Sequence, residues 1–302
     1  MKIAAITISL NDGYKLSEWF NHYLEYKNDI YLHIIVDNGS QPEYFEEVKR
    51  LFIDSVIIRR ETNGGSTSAY NDGIEYAIKK TETDAIMLIA NDVKIEKGGV
   101  VKLYDFLSSN NYGMVSPVIL SKDSLIIEDL GSEITYFMYM KPFGIGMHLD
   151  SITNYSQDAD ASLGGMNLAS RSFYEKVGLQ DEDLFMYSDE VDMAIRARKA
   201  GLKMGVIKEV KAWHQHININ GRKERPPFSA FLIGRNKIYL GYKHFSLGRA
   251  LLIFIFQVFL FFKGLIAGIK SMSKIQYQFY FLFGSFCGIL RIKKNFRFIV
   301  NN

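Results

Sequence analysis

Ala85-Ile86-Met87-Leu88-Ile89-Ala90-Asn91-Asp92 sets six apolar residues in a row and closes them with an amide and an acid. A run this short, β-rich and unbroken reads as a strand covered on both faces, the kind found in parallel sheets. Working outward, Ile3–Ser9, Tyr31–Val36, Val56–Ile58 and Gly113–Val118 repeat the pattern. The stretches Lys15–Tyr26, Glu43–Phe52, Ser66–Lys80 and Gly99–Leu107 carry helical spacing between them. Strand–helix alternation predicts an α/β fold with a doubly wound, mostly parallel sheet. In such sheets ligands bind beyond the carboxyl ends of the strands. The residues that follow the strands are therefore the ones to weigh: Ser9 and Asn11-Asp12, Asp37-Asn38-Gly39-Ser40, Asn63-Gly64-Gly65 and Asn91-Asp92.

Each has a chemical and a plain reading. Asp37 can accept from a pyrimidine N3–H or a ribose hydroxyl, while Asp-Asn-Gly-Ser is also strong turn chemistry. Asn63-Gly64-Gly65-Ser66 leads into a helix whose N-terminus would favour an anion, and is equally a tight turn. Asp92 is placed to hold Mg²⁺ or Mn²⁺ with diphosphate oxygens as further ligands, or to cap a turn. Later, Ser188-Asp189-Glu190-Val191-Asp192 opens a helix running to Ala200 and stopped by Gly201. Acids in a first turn suit the macrodipole, but three within four positions exceed capping needs and include a candidate general base. His214 and His216 form a His-x-His pair at the end of a strand, either metal-ligating or structural. Residues 121–162 read as strands and loops over the site, and Ser170 caps a helix to Val177.

The chain of 302 residues has a net charge of +3, unevenly spread. Residues 231–302 hold 11 Lys/Arg and no acid, whereas residues 1–230 hold 25 basic and 33 acidic residues. The basic tail also carries the apolar runs Ala250–Phe262, broken by Gln257, and Phe279–Leu290. Neither has the ~20 uninterrupted apolar residues of a spanning helix. Positive charge beside such runs favours an anionic membrane surface over nucleic acid; two core helices or a homo-oligomer contact are the alternatives. Pro226-Pro227 separates a body, residues 1–225, from a helical membrane-associating tail, residues 226–302. The single cysteine, Cys287, excludes an internal disulfide framework. The short run Ile3–Leu10 reads as a strand and not as a leader. Together these features predict a cytoplasmic protein, peripheral at the inner face of the cell membrane.

In order along the chain stand Thr7-Ile8-Ser9-Leu10-Asn11, Ile35-Val36-Asp37-Asn38-Gly39-Ser40, Asn63-Gly64-Gly65 with Asn71-Asp72-Gly73-Ile74, and Leu88-Ile89-Ala90-Asn91-Asp92-Val93. Val177-Gly178-Leu179-Gln180-Asp181-Glu182, Phe185-Met186-Tyr187, Asp189-Glu190-Val191-Asp192 and Arg196-Ala197-Arg198-Lys199-Ala200-Gly201 follow. This series resembles the inverting family 2 glycosyltransferases of the GT-A fold, most closely their rhamnosyltransferase-like bacterial members, from Ile6 to about His216. The resemblance implies a nucleotide-binding set of Ser9, Asn11, Asp37, Asn63, Gly64, Asn71 and Asn91. It implies a Mn²⁺ or Mg²⁺ site at Asp92, the acid of the DxD-type motif, completed by His214. Catalysis falls to Glu190, with Asp189 beside it. Two departures stand out: Ala90 replaces the first acid of the DxD-type motif, and the family's Glu-Asp pair reads Asp189-Glu190.

The implied reaction moves a sugar from a UDP- or dTDP-sugar, dTDP-rhamnose among them, to a saccharide acceptor, often lipid-linked, in bacterial surface polysaccharide synthesis. A nucleotidyltransferase would want a Gly-rich, basic loop after the first strand, and Asn11-Asp12-Gly13-Tyr14 supplies none. A non-catalytic sugar-nucleotide or glycan binder is the reading that Ala90 and the Asp189-Glu190 order keep open.

Overall fold

A computed structural model describes residues 1–162, 165–214, 227–268 and 271–292. His216, Pro226 and the basic residues Lys270, Lys293, Lys294 and Arg297 lie outside them. The chain opens β1 (Ile3–Ser9), α1 (Leu16–Tyr26), β2 (Leu32–Asp37), α2 (Pro42–Leu51), β3 (Val56–Arg59), α3 (Gly65–Lys80) and β4 (Ala85–Ile89). It continues with β5 (Val93–Ile95), α4 (Gly99–Ser109), β6 (Tyr112–Ser121), β7 (Ile127–Asp129), β8 (Ser132–Ile134), β9 (Met140–Pro142) and β10 (Asp158–Ala159). Then come β11 (Met166–Ser170), α5 (Arg171–Val177), α6 (Asp189–Lys199), β12 (Lys203–His214), α7 (Pro227–His244), α8 (Leu247–Gly268) and α9 (Met272–Ile289).

The main sheet runs β10-β12-β6-β11-β4-β1-β2-β3, with β5 on β12 and β7 on β6. β3, β2, β1 and β4 are parallel neighbours. β11 runs antiparallel between β4 and β6, and β12 is again parallel to β6. Alternation along each strand feeds two cores. Ile3, Ala5, Ile35, Met87 and Ile89 face Leu16, Trp19 and Tyr23 of α1 and Val100 and Leu103 of α4. Ala4, Ile6, Ile34, Ile86 and Leu88 face Ala69, Ile74 and Ala77 of α3, Phe173 of α5 and Met193 and Ala197 of α6. Each such Ile or Val, fully buried, contributes about 1.5–3 kcal/mol. The prediction of a sheet covered on both sides holds, and its strands and helices lie within a few residues of their predicted ends. α3 sits close on the sheet because Gly73 has no side chain; a Cβ there would stand 2.5 Å from Ile6 Cγ2. Ser170 caps α5 by accepting from Phe173 N–H at 3.1 Å, and Gly201, at φ +72°, ends the turn after α6.

The tail differs from its predicted form. α8 is one unbroken helix of 22 residues, long and apolar enough to cross a membrane. Gln257, which broke the apolar run on paper, is fully buried and donates to Gly234 O at 3.1 Å, so it joins the inner face of α8. Sequence periodicity also gave no sign of α7, whose buried residues lie on every side and include Arg235, Asn236 and Lys237.

Candidate active site

The parallel register sets Ser9 beside Asp37 and Asp37 beside Arg59, three side chains in a row along one sheet edge. Asp37 is fully buried, and neither carboxylate oxygen has a hydrogen-bond partner among the described residues. Arg59 Nε, 3.7 Å away, offsets its charge. A buried carboxylate left open in this way is costly unless a ligand completes it. Asn11 and Asn91 lie on the same edge but serve the backbone: Asn11 Oδ1 accepts from Gln41 N–H at 2.9 Å, and Asn91 Nδ2 reaches Ile8 O at 3.4 Å.

Asp92 follows β4 and is nearly buried. Its two oxygens meet Lys15 Nζ at 3.1 Å and His214 Nε2 at 3.2 Å. β12 delivers His214 by pairing it with Val93 on one side and Ser121 on the other. The second imidazole nitrogen lies 3.6 Å from Glu128 on β7. Burial disfavours the imidazolium, but the carboxylates of Asp92 and Glu128 outweigh it and lift His214 to about 9. Asp92 and His214 thus converge as predicted. Lys15 and Glu128 had no sequence signal, since a lone Lys in a turn and a lone Glu in a short strand look like surface residues.

The glycine turn departs from expectation. Gly64 N–H donates to Asn38 Oδ1 at 3.1 Å, Gly65 N–H to Asn63 Oδ1 at 2.9 Å, and Thr67 N–H to Phe185 O at 3.3 Å. The N-terminus of α3 is therefore capped from within and offers a diphosphate no free cradle at these amides. Gly65, at φ +84°, would carry a Cβ 2.1 Å from Phe185 O, so its glycine serves chain packing. Asn63 and Gly64 face the Asn38 side chain. The Asn71 amide pairs with the Gln180 backbone in both directions at 2.9 Å and reaches Glu182, which ties α3 to the segment before α6.

That segment carries three non-glycine residues at positive φ, Phe185 (+64°), Tyr187 (+67°) and Ser188 (+66°). Such conformations cost of order 1–3 kcal/mol each and persist only where surroundings impose them. Here α7 imposes them. Fully buried Asn236 donates to Leu184 O at 3.0 Å, Met186 O at 2.9 Å and Tyr187 O at 2.8 Å, and Arg235 donates to Asp183 O. The strained loop then delivers Asp189 and Glu190 at the start of α6. Asp192, one turn on, has a structural job: Arg196, Lys243 and His244 surround it. Burial alone would raise its pKa, yet these cations hold it far below the carboxylate range.

Asp189 and Glu190 line a cavity of about 210 Å³ together with Ser66, Tyr70, Asn167 and Gly165. Burial pushes Asp189 well up, and the neighbouring Glu190 carboxylate pushes it further. The Tyr70 hydroxyl is pushed up first by burial and then by the charges of Asp189, Asp92 and Glu190. Tyr70 lines the cavity with Asp189 and Glu190, while Asp92 is not among that cavity's lining residues. A lone Tyr on a helix gave no hint of this.

The family model for Glycosyl transferase family 2 matches residues 5–164. The low-salt glycan biosynthesis hexosyltransferase Agl10 of Haloferax volcanii is 25% identical over 214 residues, 70% of this chain and 68% of its own. The dTDP-rhamnosyl transferase RfbF of Shigella flexneri is 24% identical over 185 residues, 60% of this chain and 58% of its own length. Among solved structures, the mannosyltransferase PcManGT of Pyrobaculum calidifontis in complex with GDP-Man and Mn²⁺ superposes with a TM-score of 0.55 at 12% identity, over 96% of this chain and 88% of that one. The match covers more than half of the chain and includes Asp37 and Asp92: this chain belongs to glycosyl transferase family 2, of GT-A fold, and transfers a sugar from a nucleotide-sugar donor.

Proposed function

We propose that the protein is an inverting, metal-assisted hexosyl- or rhamnosyltransferase that works at a membrane surface on a lipid-linked saccharide. The observation that carries this reading is the place of Glu190. It lines the cavity shared with Asp189 and Tyr70, and also a second cavity that opens toward the tail helices. A carboxylate between a donor cleft and an acceptor cleft is where a general base belongs. Burial and the neighbouring Glu190 carboxylate push Asp189 well up, and the base is assigned to Glu190, which alone of the two lines both cavities. Its carboxylate takes the proton of the acceptor hydroxyl as that oxygen bonds to the anomeric carbon. The bond to the diphosphate oxygen breaks on the opposite face, and one displacement inverts the centre.

Asp37, with Ser9 beside it, would receive the base or ribose, and its unpartnered oxygens favour a donor such as a pyrimidine N3–H. Asp92 would hold Mn²⁺ or Mg²⁺ through a carboxylate oxygen, and His214 would join it only after giving up the proton that its ion pair with Asp92 now retains. Such an ion, when bound, supplies positive charge to the departing diphosphate. Lys15 adds a fixed charge beside it. Hydrolysis of a panel of UDP-, dTDP- and GDP-sugars with and without Mn²⁺ tests the donor reading, and the anomeric form of the transfer product tests inversion. No turnover of any donor, or a retained anomer, overturns it.

The membrane reading rests on the outer face of α8 and α9, where Ile255, Phe259, Phe262 and Phe279 are more than half exposed and Ile266 is 77% exposed. Arg249, Lys263, Lys274 and Arg291 accompany them. The inner face of α8 is fastened along its length: Arg249 donates to Tyr136 O at 2.9 Å and Phe256 stacks on Phe137 at 4.1 Å. A helix held this way lies along a bilayer surface with its outer face in the headgroup region. The full chain should sediment with anionic vesicles, and the triple change Ile255→Ser, Phe259→Ser, Ile266→Ser should abolish this. Equal sedimentation of both proteins sinks the idea.

A further inference from the structure

Asn167 on β11, Tyr174 on α5 and Gln180 between α5 and α6 line the cavity that also holds Asp189 and Glu190. Asn167 Oδ1, the Tyr174 hydroxyl and Gln180 Oε1 are each buried without a hydrogen-bond partner among the described residues. An unmade hydrogen bond on a buried atom is costly, and native proteins hold few such atoms. Here three gather in one cavity from three separate segments, and each is firmly placed. Strand register sets Asn167 opposite Leu88 on β4. The Tyr174 ring meets Phe173 edge-on at 5.4 Å. Asn71 grips the Gln180 backbone through both its N–H and its carbonyl at 2.9 Å. The rest of the wall has two further characters. Leu88, Met114, Met193 and Met204 are apolar, and no Lys or Arg stands among the described lining residues, whereas Asp189 and Glu190 do.

We infer that Asn167, Tyr174 and Gln180 are the residues that select the transferred sugar, and that they select a neutral pyranose. Its hydroxyls donate to the two amide oxygens and pair with the phenol, while its C–H face lies on the methionines. The inference rests on the transferase reading above, in which this cavity is the donor cleft. A sugar acid would bring a carboxylate to a wall of hydrogen-bond acceptors and two further acids, with no cation to receive it. A bare nucleoside diphosphate leaves all three atoms as they are, unpaired.

The test is isothermal titration of the full chain, with Mn²⁺, by UDP, dTDP and GDP and by UDP-glucose, UDP-galactose, UDP-glucuronate, dTDP-glucose, dTDP-rhamnose and GDP-mannose. The sugar bound tightest relative to its bare diphosphate should be a neutral one. Asn167→Leu, Tyr174→Phe and Gln180→Leu should each weaken that sugar nucleotide by roughly three- to tenfold, the worth of one hydrogen bond, and leave the bare diphosphate unchanged. Each change removes an unpaired buried atom, so Tm of the unliganded protein should hold or rise, which separates this loss from a folding defect. UDP-glucuronate in first place overturns the inference. So does a loss shared equally by the bare diphosphate, or no loss in any variant, the result for a cavity that holds only water. Donor hydrolysis without a sugar-specific loss in the variants sinks only this inference. A sugar-specific loss in a protein that turns over none of these donors sinks only the transferase assignment.

Discussion

The sheet edge that carries Ser9, Asp37 and Asp92 and the loop that leads into Glu190 are built by opposite means. Ser9, Asp37 and Asp92 sit at the ends of neighbouring parallel strands, and ladder hydrogen bonds between residues 3 and 92 fix their spacing. Glu190 follows a loop with three left-handed residues that no local preference would select. Its position is set by Phe185 against α3 and by Asn236 of α7 against three loop carbonyls. Ser9, Asp37 and Asp92 thus inherit the stiffness of a sheet, whereas Glu190, the proposed base, inherits that of a distant helix. Changes at the edge should therefore show in ligand affinity, and changes at the loop or α7 in turnover.

The sharpest separation should come from Glu190→Gln. Turnover should fall about 10²–10⁴-fold with donor affinity nearly unchanged, and the rise of kcat/KM with pH on the acid side should flatten. If Asp189→Asn proves dead and Glu190→Gln active, the base is the other member of the pair. Next is Asp92→Ala. Losing a ligand for charge stabilisation of several kcal/mol should weaken Mn²⁺-dependent nucleotide binding by about 100-fold. Equal nucleotide affinity with and without Mn²⁺ in the unaltered protein would remove Asp92 from that role.

Asn236→Ala tests the comparison from the far side. It leaves the buried Leu184 carbonyl and the half-buried Met186 and Tyr187 carbonyls short of a donor, at about 1–3 kcal/mol, which lowers Tm by a few degrees in a chain of this size (~2–4 °C per kcal/mol). Turnover should fall about tenfold, as it does when a reacting group is slightly misplaced, while donor affinity holds. A loss confined to donor affinity would show that α7 does not govern the base.

The smallest effect concerns acid. Asp192 has its folded pKa depressed by His244, Arg196 and Lys243 against the pull of burial. Its contribution is present above the ordinary Asp value near 4 and is lost as pH falls below it toward the folded value. Contact between α6 and the end of α7 should loosen below about pH 4, visible as faster amide exchange at residues 239–244. Exchange unchanged down to pH 2 would assign the docking to apolar contacts alone.

What the sequence disclosed follows the same division. Apolar strand runs, the Ser170 cap and the Gly201 stop are local signals, and each reads directly. Asp92 and His214 could be named because acids after strands and histidines on them are conspicuous. The structural partners of Asn71 could not be read, because an amide that staples two segments looks the same on paper as one that holds a ligand. Nor could those of the Asn63-Gly64-Gly65 turn, since Phe185 O, 118 residues from Thr67, packs at the start of α3. α7 stayed hidden because its buried polar residues erase the usual stripe, and Tyr70 gave no signal because the acids beside it in the cavity, Asp189 and Glu190, come from a distant helix.

The capping of α3 by Phe185 bears on how the molecule comes together. That oxygen can reach Thr67 only once the loop has taken its left-handed path, and the path is locked from Asn236, some fifty residues later in the chain. Ser9, Asp37 and Asp92 lie within the first 92 residues, whereas Glu190 gains a fixed place only after α7, which ends at His244, has been made and has docked.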